Sequence, residues 1–317
     1  MCAKSDKASC LSVAAMEGNL EMVKYIQSIA PELVTLCTEK ENISPLWTAA
    51  ANGHLEVVKH LYSIAPELAT RCKQKDNVSP LWSAAANGHL EVVKYLYSIS
   101  PESVNVCTSE EHDHANASAL FIAAKNGHLE VVRYLSTVCV TLVNVCTKDH
   151  VSPLWVAAER RNLEVVKYLY SVAPELVTQC AKANNVSPLY LAAEQGNLEM
   201  VSYLCSVAPE LVKQCATENR SPLWIAATRG HLEVVRVLYT QDPAMAQVRG
   251  GTMEKATPRQ MAVWTKRTKV VEVLSIGGGE EEKEEDNKPR PEEFPWREEE
   301  PGEEEEEEEE NLENLEN

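Results

Sequence analysis

Ten cysteines and eight histidines in 317 residues are the side chains best suited to chemistry here. Thiols form disulfides, bind zinc or attack as nucleophiles, and imidazoles bind metal or move protons. Their spacing argues against all of these. Cys37, Cys72, Cys107, Cys146, Cys180 and Cys215 follow one another at 34 to 39 residues, and His54, His89, His128 and His231 keep the same register. Six cysteines copied at one structural position read as a buried ladder of small apolar filler. Stacked units stand roughly 10 Å apart, as packed helices do, whereas a disulfide spans at most about 7 Å between Cα atoms. No Cys-x-x-Cys pair supports zinc or redox work. The histidines read as packed, hydrogen-bonded side chains at the start of a helix. The glycines fall mostly at one repeated turn or at 250–251 and 277–279, so there is no phosphate loop. No Ser, His and acid stand together outside the repeated pattern. The expectation is no catalytic residue, no cofactor and no enzyme. The one metal candidate is the segment 108–117, with Glu110, Glu111, His112, Asp113 and His114. It reads as a solvated polar loop that touches a partner, with a metal as the alternative.

What positions these side chains is a repeat. Ser79 to Asn87 reads S-P-L-W-S-A-A-A-N and continues G-H-L-E-V-V; copies begin near residues 9, 44, 79, 118, 152, 187, 221 and 257. A period of this size means a stack of small supersecondary units. Each full copy reads as helix, turn, helix, loop. Ser44 suits an N-cap and Pro45 the first helical position. Ala49 and Ala50 are small where helices approach closely. Gly53 ends the first helix by taking a positive φ. The second helix is predicted from about Leu55 to Tyr62, with Leu55, Val58, Leu61 and Tyr62 on one apolar face. Glu56 and Lys59 are placed to pair on its wet side, and Pro66 stops it. Neither helix is long enough to bury its face alone, so neighbouring copies must complete the core.

Ser44, Pro45, Leu46, Trp47, Ala49, Ala50, Gly53, His54, Leu55, Glu56, Val57 and Val58 resemble the signature of the ankyrin repeat, Thr-Pro-Leu-His-x-Ala-Ala followed by Gly-His-Leu-Glu-Val-Val. The resemblance covers residues 9–276. It implies an all-α solenoid of helix-turn-helix units joined by hairpin loops, with the repeated Cys where each second helix passes into the next hairpin. The chain departs from the family in two ways. An aromatic replaces the His at Trp47, Trp82, Phe121, Trp155, Tyr190 and Trp224; this ladder is either packing between copies or an exposed strip of rings. Extra length also falls near Ala-Pro-Glu-Leu-Val, as at 30–34 and 173–177. The first copy has Cys10 and Ser12 in place of the Pro and the aromatic and reads as a cap. Arg161 stands where other copies have the turn Gly. The copy 257–276, with Lys255, Arg259, Lys266, Arg267 and Lys269, reads as the second cap. Residues 1–8 read as a short loose N-terminus.

The net charge of −18 is concentrated in one segment. Residues 280–317 hold 21 acidic and 4 basic side chains, while the rest of the chain is within one charge of neutral. From 277 onward the reading is a Gly linker and a disordered Glu-rich tail. Phe294 and Trp296 within it are either a short docking motif or incidental. No apolar run approaches 18 residues, and the N-terminus M-C-A-K-S-D-K lacks a signal peptide's apolar region. With reduced thiols, the expected compartment is cytoplasmic or nuclear.

Against a constant framework, a few positions change from copy to copy. They are Ala51-Asn52, Ala86-Asn87, Lys125-Asn126, Glu159-Arg160, Glu194-Gln195 and Thr228-Arg229, together with the residue after the aromatic, as at Thr48 and Ser83. In the ankyrin family such positions and the hairpin tips line a concave face that binds other proteins; the alternative is that nothing constrains them. The resulting expectation is a non-enzymatic scaffold or adaptor for a protein partner. The alternative is a chaperone for histones or other basic proteins that works through the tail, whose charge repels phosphates and so opposes nucleic-acid binding. A third reading has the tail mask the basic end around Arg229, Arg236, Arg249, Arg259, Lys266 and Arg267. No membrane insertion is expected.

Overall fold

The computed structural model describes residues 10–38, 42–73, 76–109, 115–182, 184–251 and 255–275. Sixteen α-helices and no strand lie within them, two helices to each of the eight copies. The chain divides into two compact units, Met1–Gly277 and Gly278–Asn317. The second unit, with Phe294 and Trp296, lies outside the described residues, as do Glu110, Glu111, His112, Asp113 and His114. No helix among the described residues is long and apolar enough to cross a membrane.

The first helix of a copy is about two turns, as in Pro45–Ala51 and Pro80–Ala86. Its start is set by the repeated serine: Ser44 Oγ accepts the Trp47 backbone N–H at 3.0 Å, and Ser79, Ser118, Ser152, Ser187 and Ser221 repeat the bond. Thr257 caps the last copy in both directions with Gln260. Each cap satisfies an orphan amide and is worth about 1 kcal/mol.

The second helix runs ten residues, as in Leu55–Ile64 and Leu90–Ile99, two beyond the predicted end. Its buried face is Val57, Val58 and Leu61 rather than the predicted Leu55, Val58, Leu61 and Tyr62; Leu55 and Tyr62 are half-buried. The stripe is displaced because Val57 is covered where a copy precedes it: its counterpart Met22 in the first copy is 45% exposed, whereas Val23, the counterpart of Val58, is buried there too. On the wet side Lys59 Nζ meets Glu56 Oε1 at 2.7 Å, and the pair recurs at 21/24, 91/94, 130/133, 164/167 and 233/236. Exposed pairs of this kind contribute a few tenths of a kcal/mol each.

Pro66 ends the α-helix but does not release the chain into a loop. It opens a 3₁₀ turn, Pro66–Ala69, that buries Leu68 and Ala69. The same turn recurs from Pro31, Pro101, Val140, Pro174, Pro209 and Pro243. The residues that lengthen the repeat thus form an added apolar cover. Burying one leucine there is worth about 2 kcal/mol.

The aromatic ladder lies in the seams between copies. Trp47, Trp82, Trp155 and Trp224 donate their indole N–H to the backbone carbonyls of Val78, Ala117, Val186 and Ala256, each the residue immediately before the next copy's capping Ser or Thr, at 2.7–3.1 Å. Phe121 and Tyr190 are buried at the same place without that bond; burial pushes the Tyr190 phenol up to about 12. Of the two readings of the ladder, packing between copies is the observed one.

The cysteine ladder differs from expectation. Cys37, Cys72, Cys107, Cys146, Cys180 and Cys215 are half-buried rather than buried. The position lies where the 3₁₀ turn opens toward the hairpin, so one side of each thiol stays near water. There the thiol finds polar neighbours: Cys72 Sγ donates to the Thr70 carbonyl at 3.5 Å, and Gln214 Nε2 donates to Cys180 Sγ at 3.0 Å. Burial still raises all six thiols above the usual cysteine range, with Arg71 opposing the shift at Cys37.

The carbonyls of these same residues hold the hairpins. Asn77, at φ 55°, donates its side-chain N–H to the Cys107 carbonyl at 2.9 Å. Asn42, Asn185 and Asn219 make the equivalent bond to Cys72, Cys215 and Arg249. Successive hairpins are also joined through the backbone, as where the Lys182 and Thr217 amides donate to Asp149 and Asn184 at 3.0 and 2.9 Å.

Candidate protein-interaction surface

The turn between the two helices of each copy is built by a pair of residues from neighbouring copies. Gly88 has φ +77°, a conformation that disfavours a side chain. A methyl group on it would also stand 2.6 Å from Nδ1 of His128, in the next copy. The His128 ring occupies that space because its Nε2–H donates to the Ala86 carbonyl at 3.0 Å. Gly18 with His54, Gly53 with His89 and Gly196 with His231 repeat the arrangement, with the imidazoles bonding Met16, Ala51 and Glu194. The carbonyl acceptor fixes the proton on Nε2. Burial lowers the pKa of His89 and His231, and at His231 Arg229, Arg267 and Arg161 add to the fall. These imidazoles are structural, as the spacing suggested.

Gly127 and Gly230 face Asn162 and Arg267 in place of the His, and Arg161 departs further. It holds φ +62° without being glycine, and the residue that follows it in the next copy is Asn197 rather than His. Asn197 turns to cap its own helix, donating nothing backward and accepting the Met200 N–H at 3.1 Å. The space so vacated admits the Arg161 side chain, which donates to the Gln195 side-chain oxygen and carbonyl, both at 3.1 Å.

On these turns the varying residues form one strip bonded from copy to copy. Asn87 donates to the Ala51 carbonyl at 3.0 Å, Asn126 to Ala86 at 2.7 Å and Gln195 to Glu159 at 2.8 Å. Asn52 bonds within its own copy, to the Thr48 carbonyl at 2.8 Å. Arg229 meets Glu194 at 3.0 Å, and Arg160 meets Glu159 at 3.5 Å. Asn52, Asn87, Asn126, Arg160 and Arg229 are exposed; Thr48, Ala51, Ala86, Lys125, Glu159, Glu194 and Gln195 are half-buried. Ser83 and Thr228 are buried and offer little surface; Thr228 Oγ1 donates to the Trp224 carbonyl at 2.8 Å. The strip is neutral and small in copies two and three, gains Lys125 in copy four, and is charged in copies five to seven.

The strip contains no nucleophile beside a base. Among the described residues no group of three His, Cys, Asp or Glu side chains is arranged to hold a metal ion. What the surface offers is a row of oriented amides, carboxylates and guanidiniums, several of them held by cross-copy bonds. Two parts of its framework escaped the sequence reading. The hairpin asparagines are legible as an Asn two residues before the capping serine, at 42, 77, 116, 185 and 219. The Gly–His coupling is legible at Arg161 and Asn197, where both partners change together, while Gly127 and Gly230 keep their glycine opposite Asn162 and Arg267.

A family model described as ankyrin repeats (3 copies) matches residues 11–108, 101–177, 120–215, 154–252 and 189–282. Against curated proteins the chain has no significant match. Among solved structures it is similar to the crystal structure of the human ASB11 ankyrin repeat domain, with a TM-score of 0.59 at 23% identity, over 74% of this chain and 98% of that one. That likeness is one of fold. With sixteen helices paired into eight copies and family matches running from residue 11 to 282, the chain belongs to the ankyrin-repeat family.

Proposed function

We propose that the chain is a non-enzymatic scaffold that holds a protein partner along the concave strip from Thr48, Ala51 and Asn52 to Thr228 and Arg229. Ankyrin repeats are protein-interaction modules, and the reading of this particular strip is supported by one observation above others. Four of the side chains that change between copies, Asn87, Asn126, Gln195 and Arg229, are tied to the neighbouring copy by hydrogen bonds, so that part of the surface is organised before a partner arrives and little entropy is lost there on binding. Affinity then comes from several modest contacts rather than one pocket. The half-buried thiols suit a reducing compartment, cytoplasmic or nuclear. The acidic segment from 277 to 317 acts as a separate element that tunes partner choice through its charge; alone, its field attracts basic proteins and weakens steeply with salt.

The test is a pull-down from lysate with the full chain, a variant carrying N87A, R160E, E194K and R229E, and residues 280–317 alone, each washed at low and high salt. A partner that the full chain retains at high salt and the strip variant loses supports the scaffold. Retention only through the tail, of basic proteins that high salt removes, supports the chaperone reading instead.

A further inference from the structure

The two ends of the array differ in a way that points to a second interface. Val13, Met16, Met22, Tyr25 and Ile29, all in the first copy, are among the most exposed large apolar side chains of the described residues. The last copy shows which way they face. It has a predecessor, and there the equivalents of Val13, Met16, Met22 and Tyr25 are Met261, Trp264, Val270 and Val273, all buried. Met22 and Tyr25 are 45% and 62% exposed; Val270 and Val273 are 1% and 7%. In the six copies between, the residue in the place of Met22 is Val57, Val92, Val131, Val165, Met200 or Val234, never above 2% exposed. Val13, Met16, Met22 and Tyr25 are therefore side chains of an internal junction, with no preceding copy among the described residues; Ile29 lies at its edge, since Ile64 and Val172 in its place are exposed within the array.

Tyr25 makes the same point through its ring. The tyrosines at its position in later copies, Tyr95, Tyr134 and Tyr203, meet Tyr62, Tyr97 and Tyr170 of the copy before them edge-on at 6.1–6.3 Å. Such contacts are worth about 1 kcal/mol beyond area burial. The opposite end is different in kind: Lys266, Thr268, Lys269 and Glu272 are exposed there. Docking a first copy onto that end would strip water from charges and would build an open filament.

We propose that the apolar face of the first copy pairs with the same face of a second chain about a twofold axis, giving a closed dimer through Val13, Met16, Met22, Tyr25 and Ile29. Five half-exposed side chains of this size offer roughly 400–500 Å² on each chain. Pairing would bury at most roughly 900 Å² in all, just under the ~1,000 Å² that a specific interface needs, so the dimer is a weak, concentration-dependent one.

Sedimentation equilibrium of the full chain tests this, in reductant because Cys10 is exposed on the same copy. At low salt the charge of −18 on each chain opposes association. At high salt the weight-average mass should climb from 35.2 kDa toward twice that value as concentration rises. Met22→Glu and Tyr25→Glu should each raise the dissociation constant at least about tenfold, while Lys269→Glu at the other end should leave it unchanged. Unchanged circular dichroism would show the variants folded; both sites are exposed, and should one variant misfold the other carries the test. A chain that stays monomeric at high salt overturns the proposal. So does a dimer that survives both substitutions, or one that Lys269→Glu weakens equally; in those cases the face serves another occupant or none.

Discussion

Substituting Gly88 by alanine tests the coupling between copies most sharply. The backbone term comes first: a side chain at φ +77° costs about 1–2 kcal/mol. The steric term is larger. The added methyl lies 2.6 Å from His128 Nδ1 and 2.9 Å from two ring carbons, so the ring must move. Moving it gives up the 3.0 Å bond to the Ala86 carbonyl, about 1 kcal/mol, and overpacks the seam by about 1 kcal/mol or more. The expected loss is about 3–4 kcal/mol, or a fall in Tm of order 10 °C for an array this long. In a His128→Ala background the clash is gone and only the backbone term of about 1–2 kcal/mol remains. The coupling energy in a double-mutant cycle is then about 2 kcal/mol. Urea unfolding followed by both circular dichroism and tryptophan fluorescence measures it, since two probes reveal any uncoupling of the repeats. Equal losses in the two backgrounds would refute the steric reasoning. Asn197→His supplies the converse: it should destabilise the natural chain, and Arg161→Gly should relieve it.

Trp155→Phe keeps the ring and deletes the 2.7 Å bond to Val186; a loss of about 1 kcal/mol in urea unfolding is expected, making that seam resemble the one at Phe121. His89 and His231 have pKa values lowered below the ordinary 6.5. Below that value the unfolded chain binds protons the folded chain does not, so stability is full above it and falls as pH drops through 6.5 toward the folded values. Tm measured from pH 8 to 5 should decline below about 6.5, and His89→Gln should flatten the decline. Among the cysteines of the described residues, thiol labelling followed by mass spectrometry should modify exposed Cys10 first and Cys205 last, because burial pushes the Cys205 thiol up to about 11 and shields it.

Most of the fold was legible because each cause of structure recurs in phase. The serine caps, the turn glycines and the Glu–Lys pairs depend on neighbours only a few residues away, and the structure places them where the spacing did. Two features, the buried face of the second helix and the cysteines, differ from the reading, and the place of the tryptophan ladder was left open between packing and an exposed strip. Val57 joins the core because the preceding copy covers it, which one helix considered alone does not reveal. The tryptophan ladder is defined by carbonyls 31 to 35 residues onward. The cysteines are half-buried because the 3₁₀ turn opens beside them, and that turn was expected only as a helix stop at Pro66. For the candidate strip, the sequence located the positions and not their state. Asn87 and Gln195 are held by bonds to the copy before, and Ser83 and Thr228 are buried, facts that depend on how closely the turns stack.

Hydrogen–deuterium exchange of the full chain, alone and with a partner captured from lysate, tests the role of the strip most directly. Protection confined to the peptides spanning 48–53, 83–88, 122–127, 156–161, 191–196 and 225–230 is the predicted result. Protection elsewhere on the array, on the second helices with their Glu–Lys pairs or only on residues 280–317, would contradict it.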